Sequence, residues 1–487
     1  MAQRDDLPAE MGWTALSEPD PLFTARGAPV SRTLTPDAVV VVPGIMGSEL
    51  YDTVLDRYIW GLRPGWYARA WSPAGTGLAP LAPTEAEVAG DTGRVRATGL
   101  LTFPAFAPLL AGVEPYTPLV AAIREVVRHP AAVLGFPYDW RLPVAHNAGL
   151  LATAVARHLD AWRERSGQPD ARVVLVAHSM GGLLCEALAG IPGATDGVRA
   201  VLTLGTPFDG AAKAAVLLGS GGGAPLPVHR LRAVAVRMPG VYDLLPGYRC
   251  VDDGHTVRSL TPADVAALGG DAGLATAAFG ARDRRTTTPL PGHRALIGVE
   301  QPTVASLTLR DGTATGHGYT FEPDEDGELV RDHHGVLRRR PGLGDGTVPR
   351  GSGLPRHGVA PVPLAQQHAT LAHSSEAITF VRDFLLHGTA GERPRLGIGD
   401  IGVALPDVVR PGVEWIATVT GIEAPHVTVT ATDVETGAAV PGVPFRRGEA
   451  VLAAVTLPAP GLYRVLVTGG NVPVSQLVLA EDPDGMP

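Results

Sequence analysis

Residues 173–190 read VVLVAHSMGGLLCEALAG, and the order of residue types in this stretch decides the fold. Val173 to Ala177 form an uncharged run rich in β-branched side chains, the pattern of a short strand buried on both faces of a sheet. After His178 and Ser179 come Gly181 and Gly182, and the chain continues in helix formers through Gly190. A strand that passes through a serine straight into a helix is a nucleophile elbow: the hydroxyl stands on a sharp turn, and small neighbours let strand and helix approach. Here the elbow has the form A-x-S-x-G, Ala177 to Gly181. A lone A-x-S-x-G also fits a serine that caps a helix. The strand before it and the helix after it favour the elbow.

Apolar runs of the same kind recur at AVVVV (38–42), RAVLTLGTP (199–207) and HRALIGVE (293–300), each closed by small or turn residues. Helix-compatible segments such as Ala148 to Arg165 lie between some of them. Strands alternating with helices predict an α/β fold, a mostly parallel sheet with helices on both faces. Two long intervals break the alternation, about 51–115 and 210–290, and insertions of that length are expected to be caps or lids. A shorter interval, 301–341, reads as a β-hairpin excursion. From about residue 396 the pattern changes to period-two alternation with frequent turn signals, as in HVTVTATDVETGAAVPGV (426–443), which predicts a small all-β sandwich. The expected organisation is an N-terminal arm over 1–36, an α/β domain over 37–390 and an immunoglobulin-like β-sandwich over 396–480.

A chain of 487 residues has ample material for more than one core. Its 45% apolar and 18% charged residues argue against overall disorder. The formal charge of −9 gives no electrostatic reason to bind nucleic acid or an anionic bilayer. Lys213 is the only lysine among many arginines, which reads as codon bias rather than chemistry. The two cysteines, Cys185 and Cys250, lie far apart and are expected to be reduced. Phosphate-loop, dinucleotide and zinc patterns are missing from the sequence, and Asp332-His333-His334 reads as a solvated hairpin, so neither metal nor cofactor is expected. The N-terminus lacks a basic stretch followed by an apolar core, and no run approaches the roughly 20 apolar residues of a membrane span, so the expected compartment is the cytoplasm.

A serine nucleophile needs a base, an acid to orient the base, and N–H donors for the oxyanion. The acid candidate is Asp345 in GLGDGTVPR, and the base candidate is His368 in PLAQQHATLAH. The chain order Ser179, Asp345, His368 is that of α/β-hydrolases. His373 competes as the base or else belongs to the cap of the helix that follows, whereas His178, next to the serine, is expected to pack or hydrogen-bond. The oxyanion donors would be the backbone amides of Met180, directly after the nucleophile, and of Ile45, after the strand that ends at Pro43-Gly44.

Together, VVVVPGIMGSEL, FPYDWRLP (136–143), AHSMGG, TLGTPFDGAAKA (203–214), GDGTVP and Gln367-His368 resemble the lecithin:cholesterol acyltransferase family over roughly residues 37–388. The resemblance implies an α/β-hydrolase with a cap and a membrane-contacting lid, acting on ester lipids through an acyl-serine. It implies the same triad, Ser179, Asp345 and His368, and the same oxyanion amides, Ile45 and Met180. The animal enzymes hold their lid with a cysteine pair, and this sequence has no cysteine in 51–115. Trp60, Trp66 and Trp71 are suited either to touch a lipid surface or acyl chain or to form a cap core. Asp139-Trp140-Arg141 reads as a structural ion pair. The leading expectation is a serine-dependent lipid acyl hydrolase or acyltransferase. The alternatives are a non-catalytic hydrolase-fold scaffold whose sandwich mediates recognition, and an esterase for small soluble esters. No partner of the sandwich is legible.

Overall fold

Strands without polar residues on either face are stable only when both faces are covered. All residues of β1 (Ala38–Val42) and β3 (Val173–His178) are accordingly buried. The computed structural model describes residues 34–61, 77–107, 111–220, 226–324, 327–388, 400–421, 427–448 and 450–481. With β2 (Val133–Gly135), β4 (Val198–Leu204), β5 (Arg294–Gly298) and β6 (Val362–Leu364), these strands form a six-stranded sheet in the order β6-β5-β4-β3-β1-β2. Every neighbouring pair is parallel. This is the α/β-hydrolase sheet expected from the sequence.

The helices follow the apolar periodicity. Helix α1 (Thr117–Arg124) packs against α5 (Ser375–His387), while α2 (Val144–Ser166) packs on α3 (Met180–Ala189), and α3 on α4 (Ala272–Arg285). Along α2, Leu151, Val155, Leu159 and Trp162 fall on one buried face at helical spacing. The helix ends at Gly167, whose φ of 65° is the left-handed conformation a glycine adopts without a Cβ clash. Ser374 caps α5 by accepting a hydrogen bond from the Ala377 amide.

The interval 51–115 contributes to a three-stranded sheet, Ser48–Asp52 flanked by Arg57–Trp60 and Val95–Leu100, and a short hairpin, Ala105–Ala107 with Ala111–Val113. Of its two readings, Trp60 takes that of a core residue. Its side chain is buried, its indole N–H donates to the Met46 carbonyl at 2.8 Å, and its ring packs edge-on against Trp140. It is a core residue with no face left for a lipid surface. Trp66 and Trp71 lie outside the described residues. The intervals 210–290 and 301–341 are not separate excursions: Arg249–Asp252 and Val257–Ser259 share a four-stranded sheet with Ser306–Arg310 and Thr313–His317. Arg141 is fully buried and bonded to both Asp139 carboxylate oxygens, at 2.9 and 2.6 Å, and to Glu87 at 2.8 Å, the structural ion pair read from the sequence.

The C-terminal residues form a four-stranded and a five-stranded sheet around a core of their own, including Val403, Ala417, Val429, Ala453, Val465 and Val478. Both cysteines are free and buried. Among the described residues no helix is long and apolar enough to cross a membrane.

Candidate active site

The site is assembled at the carboxyl ends of β3, β5 and β6. Ser179 has φ 51° and ψ −125°, a backbone conformation that costs a non-glycine residue about 1–3 kcal/mol. Its amide still donates to Leu204 of β4 at 2.9 Å, and its carbonyl accepts from Gly182 at 3.0 Å, so strand and helix together hold the turn. The hydroxyl caps no helix amide. Instead Oγ lies 2.8 Å from His368 Nε2.

His368 opens a 3-10 turn, His368–Ala372, shortly after β6. Its Nδ1–H donates to Asp345 Oδ2 at 2.7 Å, and its amide donates to the Asp345 carbonyl at 2.7 Å. The other carboxylate oxygen of Asp345, Oδ1, accepts from the amides of Thr347 at 3.0 Å and Val348 at 2.6 Å. The carboxylate is therefore fixed with one oxygen for the loop and one for the imidazole. Gly298, at the end of β5, is required here because a Cβ would collide with Asp345. Serine, histidine and aspartate are all buried, at 4%, 8% and 1% exposure. His373 is not part of the constellation; its Nδ1 faces the Pro115 carbonyl at 3.4 Å.

Gly44 brings the β1 loop against the elbow: a Cβ there would sit 2.8 Å from Ser179 Cβ. Ile45, next in the chain, lines the same cleft as Ser179. Neither the Ile45 nor the Met180 amide is spent on another hydrogen bond among the described residues.

Two side chains join the β1 loop to the histidine loop. His178 Nε2 donates to the His368 carbonyl at 3.1 Å, while Nδ1 accepts from the Tyr116 hydroxyl at 2.8 Å. The tyrosine oxygen accepts in turn from the Gly44 amide at 2.9 Å. Burial, with a smaller contribution from His368, pushes His178 down to about 3, so it stays neutral and this donor order holds. Burial also pushes the Tyr116 hydroxyl up, which keeps its proton. His178 thus has the hydrogen-bonding role expected of it, whereas nothing in the sequence around Tyr116 marked that residue. Tyr116→Phe is expected to leave a buried imidazole nitrogen and a buried amide unpaired, at a cost of about 1–3 kcal/mol for each. Urea unfolding of the variant measures that loss, and slower turnover at unchanged KM would accompany it.

The cleft over Ser179 is walled by apolar residues such as Gly112, Val113, Ala214 and Leu244, with Thr347 and Lys213 as further polar members. Its water-accessible volume is about 30 Å³, room for about two waters. Lys213, read from composition as codon bias, stands in the cleft wall, and no carboxylate pairs with it among the described residues. Among the described residues no group of three or more His, Cys, Asp or Glu side chains is placed to hold a metal ion.

Residues 93–262 match the family described as lecithin:cholesterol acyltransferase. No curated protein matches the chain. Among solved structures, the chain is similar to one in the crystal structure of the Tle4-Tli4 complex, at 14% identity and a TM-score of 0.47, covering 73% of this chain and 100% of that one. It is also similar to the lipase BlEst2 of Bacillus licheniformis in propeptide form, at 14% identity and a TM-score of 0.33, covering 93% and 76% of the two chains. A third is the phospholipase PlaB from Legionella pneumophila, at 9% identity and a TM-score of 0.32, covering 91% and 89%.

Proposed function

We propose that this chain, lecithin:cholesterol acyltransferase-like in sequence, is a serine-dependent lipid acyl hydrolase, with Ser179, His368 and Asp345 as its triad and the Ile45 and Met180 amides as its oxyanion donors. The observation that supports this reading best is the continuous hydrogen-bonded chain from Ser179 Oγ through His368 to Asp345, at 2.8 and 2.7 Å. In this mechanism Oγ attacks the ester carbonyl while Nε2 takes its proton. The carbonyl oxygen becomes an oxyanion facing the two amides, and Nε2 returns the proton to the departing alcohol. Water, deprotonated by the same nitrogen, then attacks the acyl-serine; as the bond to Oγ breaks, Nε2 returns the proton to Ser179 and the fatty acid leaves. An alcohol in place of water would give a new ester.

The composition of the cleft supports a substrate with a long apolar part and an anionic group. Apolar walls suit an acyl chain. The Lys213 ammonium suits a phosphodiester. A charge-assisted hydrogen bond contributes about 1.5–3 kcal/mol, so Lys213→Met is expected to lower kcat/KM for a phospholipid by about 10- to 100-fold while sparing a short neutral ester. Parallel assays of the two substrates check this.

Mass spectrometry of products from mixed phospholipids and neutral lipids, with and without a long-chain alcohol, tests the proposal. Free fatty acid alone is the expected result. New esters would make the chain a transferase, and no product from any lipid would contradict the reading.

A further inference from the structure

The strand Val474–Ala480 of the sandwich buries apolar side chains on both of its faces, and its alternation shows why. Val474, Val478 and Ala480 point into the sandwich core, whereas Leu477 and Leu479 join the core of the α/β domain. Between them Ser475 faces the turn that carries His368. Thr370 Oγ1 donates to the Ser475 carbonyl at 2.9 Å. Gln366 donates through Nε2 to the Pro473 carbonyl at 2.9 Å and accepts the Ser475 amide at 3.2 Å. On the other flank, Gln367 Nε2 donates to the Val403 carbonyl, also in the sandwich, at 2.9 Å.

Gln366, Gln367 and Thr370 are all buried, so their polar groups have no water to fall back on if these bonds break. The residues immediately before the histidine and the one two positions after it are thus fastened to the C-terminal sheets. The same sheet also backs the cleft. Leu477 packs so closely on Gly112 that a Cβ there would come within 2.5 Å, and Arg464 grips the buried Glu114 with two bonds of 2.7 and 2.6 Å.

We infer that the C-terminal sandwich is a clamp for His368, with Gln366, Gln367 and Thr370 as positioning residues that set the aim of the imidazole at Ser179. The inference rests on the serine-hydrolase reading above. A loop on the surface of a sheet is ordinarily the most mobile part of an α/β protein. Here the general base sits on such a loop, and the sandwich supplies four of the hydrogen bonds that hold it still. Recognition of an outside partner is not needed to explain why the sandwich is there.

The test is the rate at which a fluorophosphonate labels the full-length chain, expressed per labelled site, for the wild type, Thr370→Val, Thr370→Ser and Gln366→Met. Thr370→Val keeps the shape of threonine and removes only the hydroxyl, so it disturbs folding least. The expected result is a rate about 10- to 100-fold lower for Thr370→Val and Gln366→Met, with the final labelled fraction unchanged and Thr370→Ser restored to within about threefold of wild type. A normal rate per labelled site with a lowered melting temperature would reduce these contacts to domain glue and overturn the inference. Failure of serine to rescue would overturn it as well. A folded wild-type chain that takes no label would instead remove the serine-hydrolase reading, and the clamp with it, before any variant is compared.

Discussion

Ser179→Ala is expected to lower turnover of a lipid ester by about 10⁶-fold, the scale on which removal of a triad nucleophile acts. The alanine methyl fits the elbow, because Oγ makes no structural bond other than that to His368. The variant should therefore fold as the wild type does, and its stability should change by less than about 1 kcal/mol, or rise if the elbow relaxes. Residual hydrolysis would come from the oxyanion amides and substrate binding alone. Steady-state turnover of a monomeric ester, with circular dichroism to confirm folding, measures the effect. A loss smaller than about tenfold would show that another group carries the chemistry.

Asp345→Asn is expected to cost about 10⁴-fold in kcat. The reason lies in how the carboxylate is held. Oδ1 accepts two backbone amides, from Thr347 and Val348, so an asparagine must turn its oxygen to that side. Its NH2 then faces His368 Nδ1, which can only accept. The imidazole proton is forced onto Nε2, the atom that has to take the proton of Ser179, and the base is lost with almost no change in shape. Measured kcat against a short ester is expected to fall while KM stays within about twofold, since the oxyanion amides and cleft walls are untouched. A kcat close to wild type would mean that Asp345 only braces its loop.

The parts of this protein that were legible in the sequence are those whose cause is local. The elbow needs only the contiguous residues 173–190, and β1 announces itself by its unbroken β-branched run. Asp345 and His368 could be selected because, with Ser179, they stand in the chain order of one fold. The structure brings both within hydrogen-bond reach of the partners anticipated for them. Tyr116 was invisible because its role comes from two partners, Gly44 and His178, distant in sequence and meeting only in the folded sheet. The choice between the two roles of Trp60 stayed open because an aromatic-rich interval says nothing about which side of the chain meets the core.

The sandwich was legible from its period-two alternation, but its docking was not. Strand Val474–Ala480 carried the available clue, with leucines on the face opposite its core-facing valines. A strand apolar on both faces has to be covered twice.

Ser179 is expected to become covalently modified at Oγ, with His368 as its base. Intact-protein mass spectrometry after exposure to a lipid-like fluorophosphonate, followed by peptide mapping, tests it most directly. A single adduct on Ser179 is expected, absent from Ser179→Ala and formed far more slowly in His368→Ala. An unmodified, folded wild-type chain, or an adduct that persists in Ser179→Ala, would contradict it.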